Sequence, residues 1–294
     1  MKVFVTGGTG YIGSAVVRRL VAGGHHVTGL ARSDASAATL EKLGAKVQRG
    51  SYTDGAIVRD GAQSHDVSVH AATGEGSEGD KTAILALTEG ARAAKKARRL
   101  IYTSGVWVLG ECPEPTGEDA SVEHPAANVS WRPLHERIVL KAAGAPISTC
   151  VIRPGIVFGE KRGLVGALFK SALDDGAAKF VGDGRNRWSM IHRDDLAELY
   201  LAAVEKWNEG VFHATNETVR VEEVARAVAL AAGRVDAIKS WPLAEARATM
   251  GYADALCLDQ VVVSPRSREV YGWKPAHPAF VACAPAMFDE FRQS

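Results

Sequence analysis

Short apolar runs alternate with longer amphipathic stretches through the first two-thirds of the chain. The runs at 2–6, 26–31, 46–49, 66–71, 99–104 and 148–153 have strand length and are bounded by glycine or polar residues. Between them, 11–23, 35–43, 54–60, 79–96 and 129–144 carry helical spacing. The first of these puts Ile12, Val16, Val17 and Leu20 on one face and stops at Gly23-Gly24. This alternation predicts an α/β fold, a doubly wound parallel sheet with helices on both faces. Val211 to Ala214 reads as one more strand, reached after a helix at 193–207. The pieces 158–192 and 216–294 are richer in turns and mixed in pattern, and no internal repeat is present.

The junction of the first strand and first helix reads Val5-Thr-Gly-Gly-Thr-Gly-Tyr-Ile-Gly13. A glycine-rich turn in strand–turn–helix context is what a dinucleotide fingerprint requires. Gly7 suits the turn's unusual dihedrals, Gly10 lets backbone approach a pyrophosphate, and Gly13 permits close packing of the helix. The phosphates are expected on the free N–H groups of the helix start, with Thr9, Tyr11 and Ile12 completing that face. An NAD-preferring fold carries an acid about 20 residues on, to hold the ribose hydroxyls. Here Ala31 stands in that place, followed by Arg32 and Ser33, which suit a 2′-phosphate. The expected cofactor is therefore NADP(H), although Asp34 is a candidate internal partner for Arg32.

The Thr-Gly-x-x-Gly-x-x-Gly turn resembles the short-chain dehydrogenase/reductase superfamily, in its extended, epimerase/dehydratase-like branch. The resemblance continues along nearly the whole chain. Gly50 to Asp54 resembles the branch's Gly-Asp-x-x-Asp turn near the adenine, with Ser51 in place of the first acid and Tyr52 beside it. Val69 to Thr73 resembles the small-residue strand end below the nicotinamide ribose, which implies Ala71, Ala72 and Thr73 as contacts. Arg153 to Gly159 resembles an Arg-Pro-x-x-Val-Tyr-Gly element, which implies backbone contacts from Pro154, Gly155, Ile156 and Val157 to the carboxamide. The resemblance implies a Rossmann-type dinucleotide-binding domain of 1–157 plus 187–215. It also implies a smaller, discontinuous C-terminal substrate domain of 158–186 plus 216–294. In His192 to Ala197, Asp194 or Asp195 reads as the cap of a helix starting near Leu196.

The chemistry departs from the superfamily. Its usual Tyr-x-x-x-Lys pair is replaced by Trp131 and His135, and Gly105 takes the place of the serine or threonine after the fifth strand. Trp131 can donate an indole hydrogen bond but no proton, whereas His135 can titrate near neutrality. Ser104 and Thr103 are the nearest hydroxyls to the lost serine, and Tyr11 and Tyr102 the nearest phenols. The catalytic candidates are Ser104, Trp131 and His135, with His135 also a ribose contact. The alternative for His135 is a structural pairing with Glu136 or Glu111. The resemblance implies that Trp107, Trp131 and Trp188 line the cleft.

Composition narrows the partners. The 294 residues carry a net charge of +1, and the five basic residues between Arg92 and Arg99 end a helix, where cations suit the dipole. No nucleic acid partner is therefore indicated. No apolar stretch reaches membrane-span length, and a strand begins at once, so neither a membrane nor a signal peptide is expected. Cys112, Cys150, Cys257 and Cys283 are scattered without metal-ligand spacing, which suggests reduced thiols, no metal and a cytoplasmic setting. The resemblance implies a homodimer paired through the helices at 79–96 and 129–144, whereas their charged faces are compatible with a monomer. Three functions remain. The first is an atypical NADP(H)-dependent oxidoreductase reducing a carbonyl or conjugated double bond of a small organic substrate. The others are an NADP(H)-binding redox sensor without turnover, and a sugar-nucleotide epimerase or dehydratase.

Overall fold

The computed structural model describes residues 1–292, so the last two residues of the expected substrate domain lie outside it. Along the chain come β1 (Lys2–Thr6), α1 (Tyr11–Ala22), β2 (His26–Ala31), α2 (Asp34–Lys42), β3 (Lys46–Arg49), α3 (Gly55–Ser64), β4 (Val67–His70), α4 (Gly76–Ala93) and β5 (Arg98–Thr103). There follow β6 (Cys112–Thr116), α5 (Arg132–Lys141), β7 (Ile147–Pro154), β8 (Ile156–Phe158), α6 (Gly163–Asp174), β9 (Ala178–Val181), β10 (Arg187–His192), α7 (Arg193–Glu205) and β11 (Gly210–Ala214). The chain continues through β12 (Glu217–Arg220), α8 (Val221–Ala231), β13 (Ile238–Trp241), α9 (Leu243–Arg247), α10 (Ala253–Leu256), β14 (Gln260–Val262), α11 (Pro265–Tyr271) and α12 (Phe280–Arg292).

Seven strands form one all-parallel sheet in the order β11-β7-β5-β4-β1-β2-β3. The two-residue period of β1 explains its two-sided core. Val3 and Val5 join Val16, Val17 and Leu20 of α1 and Leu196 and Leu199 of α7 on one face. Phe4 faces the other way, among Val58 of α3, Ile84 and Leu87 of α4 and Val139 of α5. The strand order reverses between β1 and β4, the switch point outside whose carboxyl ends such folds bind ligands. A second, smaller core brings Phe169 of α6, Val224 and Val228 of α8, and Phe280 and Phe288 of α12 against Phe158, Phe180 and Trp188. There β10 pairs with β8 and β12 in a separate three-stranded sheet, while α7 packs on α1 and β11 edges the main sheet.

α4 is shifted three residues toward the N-terminus of its expected range, and the bounds of α3 and α5 differ for local reasons. α3 runs on to Ser64, because Asp54 caps its start and Gly61 sits where a Cβ would lie 2.6 Å from the Phe4 ring. A glycine in such a contact leaves no apolar signal in the sequence. α5 starts at Arg132, not 129, with Pro133 in its first turn and a 3₁₀ turn at Ala127–Val129 ahead of it. A buried bidentate pair then ties α5 to β7, with Arg153 Nε 3.0 Å and Nη2 2.6 Å from the two carboxylate oxygens of Glu136.

Candidate active site

The glycine turn opens a groove of about 480 Å³ across the carboxyl ends of β1, β2, β4 and β5. Gly7 has φ +73°, and a Cβ there would lie 2.5 Å from the Ala72 nitrogen. A Cβ on Gly13 would meet the Gly7 carbonyl oxygen at 2.0 Å, so the helix start and the turn are in direct backbone contact. Gly10 instead faces open space apart from the Gly7 oxygen at 3.1 Å, and no side chain caps α1. The free N–H groups at this helix start therefore face the groove, as an anionic ligand requires.

Gly7, Thr9, Gly10, Tyr11, Ile12, Arg32, Ser33, Tyr52, Ala71, Ala72, Thr73 and Ser104 all line this groove. Gly13 and Ser51 do not. Gly13 lies beneath the turn, and the Ser51 hydroxyl is 2.8 Å from that of Thr53. Arg162, which sequence reasoning missed, reaches in from the smaller core side, its Nη1 3.4 Å from the Thr9 carbonyl oxygen. Arg32 is paired with Glu75 at 2.6 Å rather than with Asp34, which holds Arg49 at 2.6 Å. Ser33 caps α2, its Oγ accepting from the Ser36 N–H at 3.2 Å. Tyr11 donates to the Gly159 carbonyl at 2.6 Å, and burial pushes its phenol well above its usual range.

A cavity of about 720 Å³ adjoins the groove, walled by Pro154, Gly155, Ile156 and Val157, by Trp107 and Tyr252, and by Asn128. Ser104 and Arg132 line both spaces and so mark their junction. The Ser104 Oγ and the Asn128 Oδ1 are buried and find no hydrogen-bond partner among the described residues. Arg132 donates to the Thr103 carbonyl at 3.0 Å, and its guanidinium carbon lies 4.8 Å from the centre of the Trp131 ring. Thr103 itself is engaged with Tyr200 at 2.6 Å. Arg132 and Asn128 were not singled out from the sequence. The spacing drew attention to Trp131, whereas the next residue reaches the cleft.

The structure corrects the placement of the other two catalytic candidates. Trp131 is not on the cleft wall; it supports Arg132 on one side and meets the His135 ring at 4.8 Å. His135 is 1% exposed and turned inward, its Nδ1 2.6 Å from Asp80 Oδ2. Its carboxylate partner is thus neither Glu136, held by Arg153, nor Glu111, whose Oε2 accepts from the Asp259 N–H at 3.2 Å. The same Asp80 accepts from the Tyr102 hydroxyl at 2.9 Å and lies 3.2 Å from His70, whose other ring nitrogen is 2.6 Å from the Thr6 hydroxyl. Tyr102 is fully buried with its hydroxyl committed to Asp80 and lines neither space, and burial lifts its phenol far above the usual range. Of the three tryptophans expected in the cleft, Trp107 lines it and Trp188 lines a neighbouring apolar cavity.

The sequence model of the family described as "NAD dependent epimerase/dehydratase family" matches residues 3–221. The chain belongs to that family. It is an NAD(P)-dependent enzyme on a Rossmann-type sheet. It is similar to an uncharacterised protein of Saccharomyces cerevisiae, 30% identical over 291 residues, covering 94% of this chain and 95% of the relative. It is also similar to a 2-alkyl-3-oxoalkanoate reductase of Stenotrophomonas maltophilia, 28% identical over 320 residues, covering 94% and 95% of the two chains. Among solved structures, a dTDP-glucose 4,6-dehydratase of Bacillus anthracis in complex with NAD shares the fold, with TM-score 0.85, 16% identity, and coverage of 100% and 97%.

In this family member α7 begins at Arg193, and its cap is His192, whose Nδ1 accepts the Asp194 N–H at 3.2 Å. Asp194 instead pairs with Arg18 at 2.6 Å, and buried Asp195 accepts from the Ala276 and His277 backbone N–H groups. The donor atoms of His192, Asp195 and His277 lie within 4.8 Å of one another. With its Nδ1 accepting, neutral His192 presents a hydrogen and not a lone pair at Nε2, which opposes a metal there. All four cysteines are free thiols, and burial pushes the Cys150 thiol up to about 12. Among the described residues no helix is long and apolar enough to cross a membrane.

Proposed function

We propose that this enzyme binds NADP(H) in the glycine-turn groove and reduces a carbonyl, or a double bond conjugated to one, in the adjoining cavity. The observation that carries the reading is the Ser104 hydroxyl, buried, unpartnered and placed where the two spaces meet, beside the Arg132 guanidinium. A reduced nicotinamide supplies a hydride when bound. What remains for the protein is to hold the carbonyl and stabilise charge on its oxygen. Ser104 and Arg132 donate hydrogen bonds to that oxygen as charge builds, and solvent returns the proton. The apolar wall of Trp107, Ile156 and Val157 lowers the local polarity and so strengthens both bonds. The proposed substrate region comprises 158–186 and the chain after 215. The free cysteines favour a reducing, cytoplasmic setting.

A second reading, an epimerase or dehydratase that oxidises a bound hydroxyl, is favoured by the family's description and by the dehydratase fold. That chemistry needs a base at the hydroxyl, and neither Ser104 nor Arg132 is one at neutral pH. The likeness to an oxoalkanoate reductase supports the first reading. The test is absorbance of NADPH with a panel of aldehydes, ketones and enones, run beside UDP- and dTDP-sugars with NAD. Consumption of NADPH by a carbonyl compound is the expected result. Conversion of a nucleotide sugar without net cofactor change would replace the proposal with the second reading. Binding without either would leave the redox-sensor reading.

Cofactor choice is tested at Arg32. A 2′-phosphate has to compete with Glu75 for this guanidinium, and the pair is exposed enough to yield. Arg32→Ala is expected to weaken NADPH binding about tenfold and leave NADH binding within about twofold. Glu75→Gln is expected to strengthen NADPH binding about twofold to fivefold, since an exposed pair is worth about 0.2–1 kcal/mol. Titration of nicotinamide fluorescence measures both. Equal losses for the two cofactors in Arg32→Ala would remove the NADP(H) assignment.

A further inference from the structure

The cavity beside Ser104 does not close at its outer end. Leu164 of α6 and Tyr252, just ahead of α10, line it and also line a further cavity of about 290 Å³ inside the smaller core. Tyr252 stacks on Trp107 with ring centres 6.3 Å apart and planes at 25°, so an aromatic pair stands where the two spaces adjoin. Beyond it the wall is Phe180, Val181, Trp188, Trp241, Met250 and Leu256.

Lys170, Ser171, Asp174, Asp175 and Lys179 also line this cavity, and most polar groups on its wall are already engaged. The Trp188 indole N–H donates to the Leu256 carbonyl at 3.1 Å, which leaves the ring as the exposed surface. The Lys179 ammonium lies 3.9 Å from the centre of the Trp241 ring, and Lys170 pairs with Asp174 one helical turn away. No residue assigned to the cofactor groove lies in this cavity, and it carries neither Ser104 nor Arg132. Hydrogen-bond donors therefore line one of the two adjoining spaces, and a largely apolar wall the other. A sugar nucleotide, polar along its whole length, has no use for such a chamber.

We infer that the further cavity is a tail-binding subsite, and that the substrate class is an amphipathic carbonyl compound. Its oxygen is held by Ser104 and Arg132, and its extended apolar chain passes Trp107 and Tyr252 to lie against Trp188 and Phe180. The position of the carbonyl rests on the reductase reading; the apolar chamber does not. Each methylene that enters the chamber leaves water and strengthens binding about twofold to fourfold.

The experiment compares methyl ketones from butanone to dodecan-2-one in the NADPH assay, for the wild type and Ala167→Trp. Ala167 is an exposed position of α6 on the chamber wall, so the larger side chain fills the chamber without entering a packed core. For the wild type, kcat/KM is expected to rise about twofold to fourfold per methylene and then level off. In Ala167→Trp the rise is expected to stop at shorter chains, with butanone kinetics unchanged. A flat series in the wild type, or an unaltered series in the variant, overturns the inference. A second measurement stands apart from turnover: decan-1-ol is used to displace anilinonaphthalene sulfonate fluorescence from both proteins. Displacement in the wild type that weakens at least fivefold in Ala167→Trp supports the chamber even if no ketone is reduced. Equal displacement in both proteins overturns it.

Discussion

Asp80→Ala is expected to lower folding stability by about 3–5 kcal/mol, the range for stripping a buried charge network of its central partner. The Asp80 carboxylate is 4% exposed and is the meeting point of His70, Tyr102 and His135. Alanine leaves three buried polar groups unpaired on α5, β4 and β5, each costing about 1–3 kcal/mol before the structure relaxes. For a chain of this size the melting midpoint falls by roughly 6–15 °C. Asp80→Asn keeps one acceptor oxygen and the side-chain volume, so a smaller loss is expected. Differential scanning fluorimetry checks both, and an alanine variant melting with the wild type would show that the network carries no stability.

The same residue sets an acid limit. Burial alone would raise the Asp80 carboxyl, but the bond and charge of His70, then the hydrogen bonds of His135 and Tyr102, hold it below the usual carboxylate range. A carboxyl lower in the folded than in the unfolded state adds stability above its unfolded value, about 3.9, and loses it as pH falls through the folded value. The stability gap between the wild type and Asp80→Asn is therefore expected to shrink as pH falls below about 4.

Strand and helix alternation was legible because buried parallel strands read as short apolar runs, and helices packed on a sheet keep one apolar stripe. The cofactor groove was legible for a related reason. Its turn needs glycine at Gly7 and Gly13, where any Cβ meets backbone, and that demand is written in residue type. The catalytic cleft was not legible in the same way. His135 and Tyr102 are the kinds of residue that do acid–base work, yet their side chains turn inward to Asp80 on α4, 55 and 22 residues distant in sequence. Arg132 was overlooked because an arginine beside a helix start looks like any solvated cation. Its role comes from Trp131 beneath it and the Thr103 carbonyl in front of it, contacts that no spacing announces. The Arg32 pairing with Glu75 likewise needed the loop between β4 and α4 to be placed first.

The largest expected effect on activity follows from that relocation of the chemistry. Ser104→Ala removes the unpartnered hydroxyl at the cavity junction, and Arg132→Leu removes the one cation that, among the described residues, lines both the groove and the adjoining cavity. Loss of a donor aimed at a developing oxyanion lowers kcat by about 10²–10³. Each single variant is therefore expected to lose about a hundredfold in kcat with NADPH and its preferred carbonyl substrate. If both donors act on one oxygen, the double variant loses much less than the product of the single losses. NADPH affinity in Ser104→Ala is expected to stay within about twofold of the wild type, which separates a chemical role from a failure to bind cofactor. His135→Ala is the contrasting variant. It breaks a bond to Asp80 and lowers the melting midpoint, but its kcat measured well below that midpoint is expected to fall by less than about threefold. A full set of stopped-flow and steady-state measurements distinguishes these patterns. Wild-type turnover in the Ser104→Ala, Arg132→Leu double variant would show that the carbonyl is held elsewhere, whereas a hundredfold loss in His135→Ala at unchanged stability would return the proton chemistry to α5.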